Sequence, residues 1–469
     1  MRPQEPSRVI ARILSDKIYY ARAGSTTERP ERTAVGKYIH FVSFLINSPI
    51  NHTVLSWADP QDNRLQAMGD MKLWQELGRT LERGRFDAIF FADTPGVFDR
   101  YKDRLDESLR YGVCWPTHDP VPLLGIIGAA TEHLGLTATV STGAHHPYAL
   151  VRSLSTLDYL TSGRVGWNIV TGHLRGEHRA FGLPQLEHDQ RYERGEEYME
   201  VCYQLWDSVA DGAIIADKVS GQFADPDKIR IVDHAGEYFR CNTPSPTWPS
   251  PQRRPVLFQA GSSGRGQRFA MKHAEVVFAI QPNLASMQKF MTEFRATAAE
   301  IGSARVPGVT FGIQPIIGGT EEEAKAKLNG LIERMPPEAS IARLSGSMGI
   351  DFSGMELDQP LAEMQTQGSQ GLMKAFSRAE GERLTLRDVA IRWGLAVGMP
   401  QVIGSPEQVA DQIETMWHET GCHGFNITPH VMPSSVEDFV DQVVPILQKR
   451  GVYRTEYEGR TFRENLEVA

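Results

Sequence analysis

Cysteine is scarce: four residues stand far apart, at Cys114, Cys202, Cys241 and Cys422, and no CxxC pair occurs. That excludes the common zinc-ribbon and redox-dithiol motifs. A reduced, cytoplasmic setting is the simplest expectation. No apolar run is long enough to span a bilayer. Positive charge is also in deficit, with 49 Lys and Arg against 58 Asp and Glu and a net charge of −9. A nucleic-acid surface needs the opposite balance on one face. Two catalytic signatures are missing as well. No GxGxxG turn follows the first apolar strand, and no GxSxG elbow is present.

What is present is 469 residues of ordinary globular composition. Residues 1–36 are polar and rich in arginine, without the apolar centre of a secretory signal, and are expected to form an N-terminal extension. Beyond them, short apolar strands alternate with longer helical patterns, the mark of parallel βα units. The expected strands are 38–46, 86–92, 136–141, 165–170, 255–260, 276–279, 309–317 and 425–428. Helices are expected at 70–85, 120–133, 148–160 and 191–209. Eight strands with intervening helices predict an α/β fold, a closed (β/α)8 TIM barrel, from residue 37 to the C-terminus. An open doubly wound sheet is the rival, and the missing GxGxxG counts against it. Insertions are expected near 211–251 and 329–399, where the βα rhythm breaks.

The stretch 154–171, LSTLDYLTSGRVGWNIVT, reads as helix, turn and buried strand. Asn168 lies inside that apolar strand and must be hydrogen-bonded, to backbone or to a ligand. In a barrel the strand C-terminal ends build the site. There stand Asn47, Asn51 and His52 after the first strand and Asp93 after the second. Thr139, Ser141 and Thr142 end the third, with His145 and His146 beyond. This rim is mainly neutral and polar, without the carboxylate cluster of a magnesium site. His145 and His146 are adjacent and would point apart, which makes them poor joint metal ligands. Gly261-Ser262-Ser263-Gly264 opens a helix near Arg265, where backbone N–H groups can hold an anion such as phosphate. The same serines can equally be a plain N-cap. His188 and Tyr192 are four apart, so one helix turn would put both on one side, with Asp189 as the expected cap.

Taken together, FFAD at 90–93, TLDYLTSGRVGWNIVTG at 156–172, EHDQRYERGEEYMEV at 187–201, SPQRRPVLFQAGSSGRGQRFA at 250–270 and FVDQVVPILQKRGVYRTEYEG at 439–459 carry a resemblance. The chain resembles the bacterial-luciferase-like flavin monooxygenases. Within them it is most similar to the branch of nitrilotriacetate monooxygenase component A, long-chain alkane monooxygenase and dibenzothiophene sulfone monooxygenase, from about Gly36 to the C-terminus.

The resemblance implies a (β/α)8 barrel that binds FMN in its reduced form, FMNH2, uses O2 as co-substrate, and receives FMNH2 from a separate NAD(P)H-dependent flavin reductase. It places Asp93 at the isoalloxazine end, with Thr139, or Ser141 two along the same strand face, lining the flavin. His188 and Tyr192 come to its phosphate or ribityl chain, and Ser262 with Ser263 to the phosphate. It makes His52 the expected hydrogen bonder to the reacting oxygen, with His146 a second catalytic candidate. A homodimer or homotetramer is expected, and no metal. The expected substrate is a small hydrophobic, aromatic or heteroaromatic compound, cleaved oxidatively at C–S, C–N or C–halogen. Phe44, Phe90, Phe278, Met348 and Met355 are the apolar groups in view, and each could equally be core. One departure stands out: the sulfone enzymes have a histidine in the segment matching LSGSMGID at 344–351, where this chain has Ser347 or Met348. The alternatives are an F420-dependent oxidoreductase on the same barrel and a non-catalytic flavin-binding protein.

Overall fold

The computed structural model describes residues 36–172, 174–260, 264–303, 305–359 and 384–467. Its strands are β1 (His40–Ile46), β2 (Ala88–Ala92), β3 (Gly135–Ser141), β4 (Val165–Val170), β5 (Val232–Ala235), β6 (Arg240–Thr243), β7 (Val256–Ala260), β8 (Val276–Ala279), β9 (Gly308–Ile317), β10 (Gln401–Gly404) and β11 (Gly424–Ile427). Strands β1, β2, β3, β4, β7, β8, β9 and β11 pair in that order, all parallel, and β11 returns to β1. The sheet is therefore a closed eight-stranded (β/α)8 barrel. Each of its eight strands lies within two residues of the sequence expectation.

Alternation divides each strand between two cores. Outward residues such as Leu45, Phe91, Leu136, Trp167 and Phe425 pack under the helices. Inward residues of β1, β2, β7 and β8 place Phe44, Phe90, Phe258 and Phe278 against one another, with ring centroids 4.7–6.2 Å apart. Each buried ring contributes ~2–3 kcal/mol of apolar burial. Polar inward residues gather on β3, β4, β9 and β11 instead, among them Thr139, Asn168, Gln314 and Asn426.

The helices that matter for the barrel mouth are α1 (Met71–Arg83), α2 (Val121–Gly128), α3 (Pro147–Leu160), α4 (Arg175–Phe181), α5 (His188–Trp206), α6 (Gly264–His273), α7 (Pro337–Met348) and α8 (Leu386–Ala396). Helix α1 is capped by Asp70, which accepts from the Lys72 N–H at 2.8 Å. Helix α2 stops five residues short of the expected His133. The buried Arg164 guanidinium takes the Gly128 and Leu134 carbonyls at 2.8 and 3.3 Å and so supports a turn there. Helix α5 begins at His188, three residues before the expected start. Its cap is Glu187, whose N–H donates to Gln190 at 3.3 Å, so Asp189 falls inside the first turn and is not the cap.

Within 211–251 the chain forms the antiparallel β5–β6 hairpin. Within 329–399 it forms α7 and α8, which pack on each other. Strand β10 went unread: QVIG is short and bounded by Pro400 and Pro406, yet it pairs with the outer half of β9. The other end of the barrel is stopped by the C-terminal segment. Phe462 fits against Gly135 and Gly166, where an added Cβ would come within 2.5 and 3.0 Å of its ring. Arg454 binds the buried Asp87 there at 2.6 Å. Among the described residues no helix is long and apolar enough to cross a membrane.

Candidate functional site

Every barrel strand delivers its C-terminal end to one mouth, and the loops above it assemble the site. The loop after β1 is tied down by Asn51, which accepts from the Ile46 N–H at 3.0 Å and donates to the Phe44 and Pro429 carbonyls at 3.1 Å. His52 follows and lies flat on Phe44, with centroids 4.2 Å apart and planes 10° apart. Arg343 of α7 reaches this loop. Its Nη1 donates to the His52 carbonyl at 2.9 Å and its Nη2 meets His52 Nδ1 at 3.2 Å. Both side chains are buried. Burial, then the Arg343 charge and then the Arg64 charge push the His52 pKa well below its ordinary value. His52 Nε2 is buried without a hydrogen-bond partner.

The loop after β2 carries Asp93 at the rim. Burial, reinforced by the Asp119 and Glu177 carboxylates, pushes its carboxyl up to about 7 against the pull of the Thr94 N–H. Glu177 is itself raised by burial, against a smaller opposing pull from the Ser141 hydroxyl. Two glycines make this approach possible. A Cβ on Gly96 would come within 2.2 Å of the Glu177 backbone, and one on Gly176 within 2.4 Å of the Val97 carbonyl. Below them Asn168 donates through Nδ2 to Thr139 Oγ1 at 2.9 Å, which answers what holds that asparagine in its strand. Its Oδ1 remains buried without a partner.

On the far side of the mouth, α5 brings His188 and Tyr192 to one face, with rings 5.2 Å apart. Tyr192 packs on Phe269 of α6 at 5.5 Å. Ser262 and Ser263 lie outside the described residues, but α6 begins at the next position, Gly264. The structure thus brings His188 and Tyr192 to the helix that the serines precede. His52, Asp93, Thr139 and Ser141 are carried by neighbouring strands β1, β2 and β3. His146 stands apart: it is exposed, caps α3 by accepting from the Tyr148 N–H at 3.2 Å, and packs edge-on against Phe239. His145 faces the Ser141 carbonyl at 3.3 Å. Among the described residues no group of three or more His, Cys, Asp or Glu could hold a metal.

Ser347 and Met348 turn away from the mouth. Ser347 Oγ accepts from Trp393 Nε1 at 3.2 Å, and Met348 packs with Phe352 and Trp393. The residue of α7 that does reach the mouth is Arg343, one turn earlier, and sequence reasoning missed it. A signal existed: this arginine sits in ASIARLSGSM with no acidic residue three or four positions away. Glu177 and the Cys114 thiol beside Arg343 were missed as well.

Residues 54–424 match the model of the luciferase-like monooxygenase family. The chain belongs to the luciferase-like monooxygenases. This luciferase-like monooxygenase is 38% identical to the dibenzothiophene-sulfone monooxygenase of Rhodococcus erythropolis (strain XP), across 92% of this chain and 96% of the relative. It is 38% identical to nitrilotriacetate monooxygenase component A of Aminobacter aminovorans, across 85% and 90%. Among solved structures it superposes on riboflavin lyase with modified FMN and riboflavin at a TM-score of 0.85, with 33% identity and 92% and 95% coverage. The luciferase-like enzyme described here is accordingly a flavin-dependent monooxygenase.

Proposed function

We propose that this monooxygenase uses FMNH2 from a separate NAD(P)H-dependent reductase, together with O2, to oxygenate a small hydrophobic, aromatic or heteroaromatic compound, with oxidative C–S, C–N or C–halogen cleavage among the outcomes. The observation that carries the reading is the mouth's set of buried polar atoms without partners, Asn168 Oδ1 and His52 Nε2, beside the neutral Thr139 and Ser141. A buried donor or acceptor left unmet costs ~1–3 kcal/mol, and a flat, neutral, hydrogen-bonding ring system meets both kinds. The residues fit FMN. His188, Tyr192 and the start of α6 suit its phosphate, since a helix N-terminus carries partial positive charge.

When bound, reduced FMN would supply the two electrons that activate O2, and O2 the oxygen atom; the cofactor carries that chemistry. The chain's own work is to bind, orient and exclude water. Asp93, Thr139, Ser141 and Asn168 wall the flavin. His52 offers a hydrogen bond to the reacting oxygen or to the substrate. The apolar side is formed by Phe44, on which His52 lies, with Ile46 and Ile50 of the same strand and loop. The named relatives act on a sulfone and an aminopolycarboxylate, so substrate identity varies within the family's barrel.

The test combines the full chain, FMN, NADH and a flavin reductase with a panel of organosulfur, haloaromatic and amine compounds under labelled O2. One labelled oxygen atom in a product is expected. Failure to bind reduced FMN overturns the proposal. Turnover with reduced F420 and no oxygen incorporation would point to the oxidoreductase alternative, and flavin binding with no turnover of any compound to a flavin-binding protein.

A further inference from the structure

One guanidinium holds His52 at two points: Arg343 Nη1 on its carbonyl at 2.9 Å and Nη2 on its Nδ1 at 3.2 Å. A guanidinium has N–H donors only and cannot accept. Nδ1 must therefore be the bare nitrogen, and a neutral imidazole then carries its one proton on Nε2. The imidazolium is excluded on the same ground, because it would set an N–H against an N–H beside a fixed cation. The charged and titratable groups around the ring are Arg343 on α7, Arg64 on the one-turn helix after the β1 loop, Asp62, which stands 3.6 Å from Arg64, and the Cys114 thiol near Arg343. The carboxylate in that set is engaged with Arg64. Phe44 fixes the ring plane from below. What remains is Nε2, buried and without a partner.

We infer that Arg343 is a positioning residue that locks His52 as the neutral Nε2–H tautomer and presents that N–H to an acceptor oxygen of the bound flavin–substrate pair. His52 is then a fixed hydrogen-bond donor. It is not a general base, since its only free nitrogen already holds a proton and its other lone pair is taken. Gly346 permits the arrangement: a Cβ there would come within 2.4 Å of the Phe98 ring, so the glycine lets α7 settle close enough for Arg343 to reach the loop. The tautomer rests on this geometry alone; what Nε2–H meets rests on the proposed function.

The experiment is long-range 1H–15N correlation NMR on the full chain labelled with 15N-histidine, without flavin, from pH 5 to 8, with His52 assigned by the signals lost in His52→Gln. Expected is a pyridine-type Nδ1, a pyrrole-type Nε2 and no titration in that window. An Nδ1–H tautomer, or a His52 that titrates between pH 5 and 8, overturns the inference, whether or not oxygenation is ever observed. In Arg343→Met the ring should start to titrate or mix tautomers, and kcat should fall about tenfold or more, roughly one hydrogen bond's worth, with a new acidic limb in its pH profile. If Arg343→Met folds and His52 keeps the wild-type pattern and a flat profile, the positioning role is wrong. Arg343→Lys keeps the charge but loses the two-pronged grip. Its ammonium is still donor-only, so His52 should stay a non-titrating Nε2–H tautomer, and an Nδ1–H signal there would likewise refute the role. Should both variants fail to fold, the wild-type spectrum still decides the tautomer.

Discussion

Asn168 on β4 and Thr139 on β3 are register partners in the barrel, and their side chains hydrogen-bond at 2.9 Å. The bond uses Nδ2 of the asparagine and leaves Oδ1 buried and unmet. Thr139 therefore fixes the amide with its acceptor oxygen left over inside the barrel. Asn168→Leu keeps the volume and removes that acceptor. The fold should survive with a loss of ~1 kcal/mol in chemical denaturation, about one neutral hydrogen bond. FMN affinity should fall about tenfold, the equivalent of ~1.4 kcal/mol. Fluorescence titration measures it, and unchanged affinity would show that Asn168 does not line the flavin.

Asp93 gives a prediction about pH. Its carboxyl is raised to about 7, chiefly by burial and then by Asp119 and Glu177. An acid whose folded pKa exceeds the unfolded value near 3.8 destabilises the fold as pH rises between the two, and the full cost is present above about 7. Asp93→Asn removes that cost. It should stabilise the flavin-free protein by ~2 kcal/mol at pH 8, a figure discounted for the residue's partial exposure, and by nothing near pH 3.5. Wild-type flavin affinity should change across pH 7, while the variant's should stay flat. A wild-type curve with no inflection near 7 contradicts this.

The phosphate role proposed for His188 and Tyr192, whose rings pack on each other and on Phe269 of α6, separates two ligands. Tyr192→Phe and His188→Ala should each weaken FMN about tenfold, while leaving riboflavin, which lacks the phosphate, within about twofold. Equal losses for both ligands would assign the two residues to packing. Competition between FMN and riboflavin on one titration reads the ratio directly.

The barrel was legible because its strands are short apolar runs of fixed spacing, and the parallel pairing follows from the helices between them. The placement of Asp93 at a strand end, and of His188 and Tyr192 on one helix face, was legible through position. Arg343 was not, because it reaches the site from α7, nearly three hundred residues after His52, and neither local periodicity nor strand order reports that contact. Strand β10 was lost for a related reason: four residues carry too little periodicity, and its pairing with β9 is set by the sheet. His146 was read as chemistry on its place after β3. Its ring nitrogen in fact caps a helix whose next residue, Pro147, has no N–H to offer, so the cap bonds Tyr148.

At the closed end of the barrel, Asp87 accepts from Arg454 at 2.6 Å and from the Phe41 N–H at 2.8 Å and lies 2.9 Å from His40 Nδ1, all buried. Burial alone would raise this carboxyl, yet Arg454, His40 and the N–H outweigh it and hold the pKa below its ordinary value. A depressed folded pKa means that the contribution is present above the unfolded pKa near 3.8 and is lost as pH falls through the folded one. Arg454→Met strands the carboxylate and should cost ~3–5 kcal/mol at pH 7, the usual loss on breaking a buried pair. Without its cation, Asp87 becomes a burial-raised acid, so the deficit should narrow as pH falls towards 4, where the carboxyl can protonate. Urea midpoints for both proteins at pH 7 and pH 4 measure the gap. A deficit that stays constant, or widens in acid, would mean that Arg454 stabilises the barrel floor by packing and not by its charge.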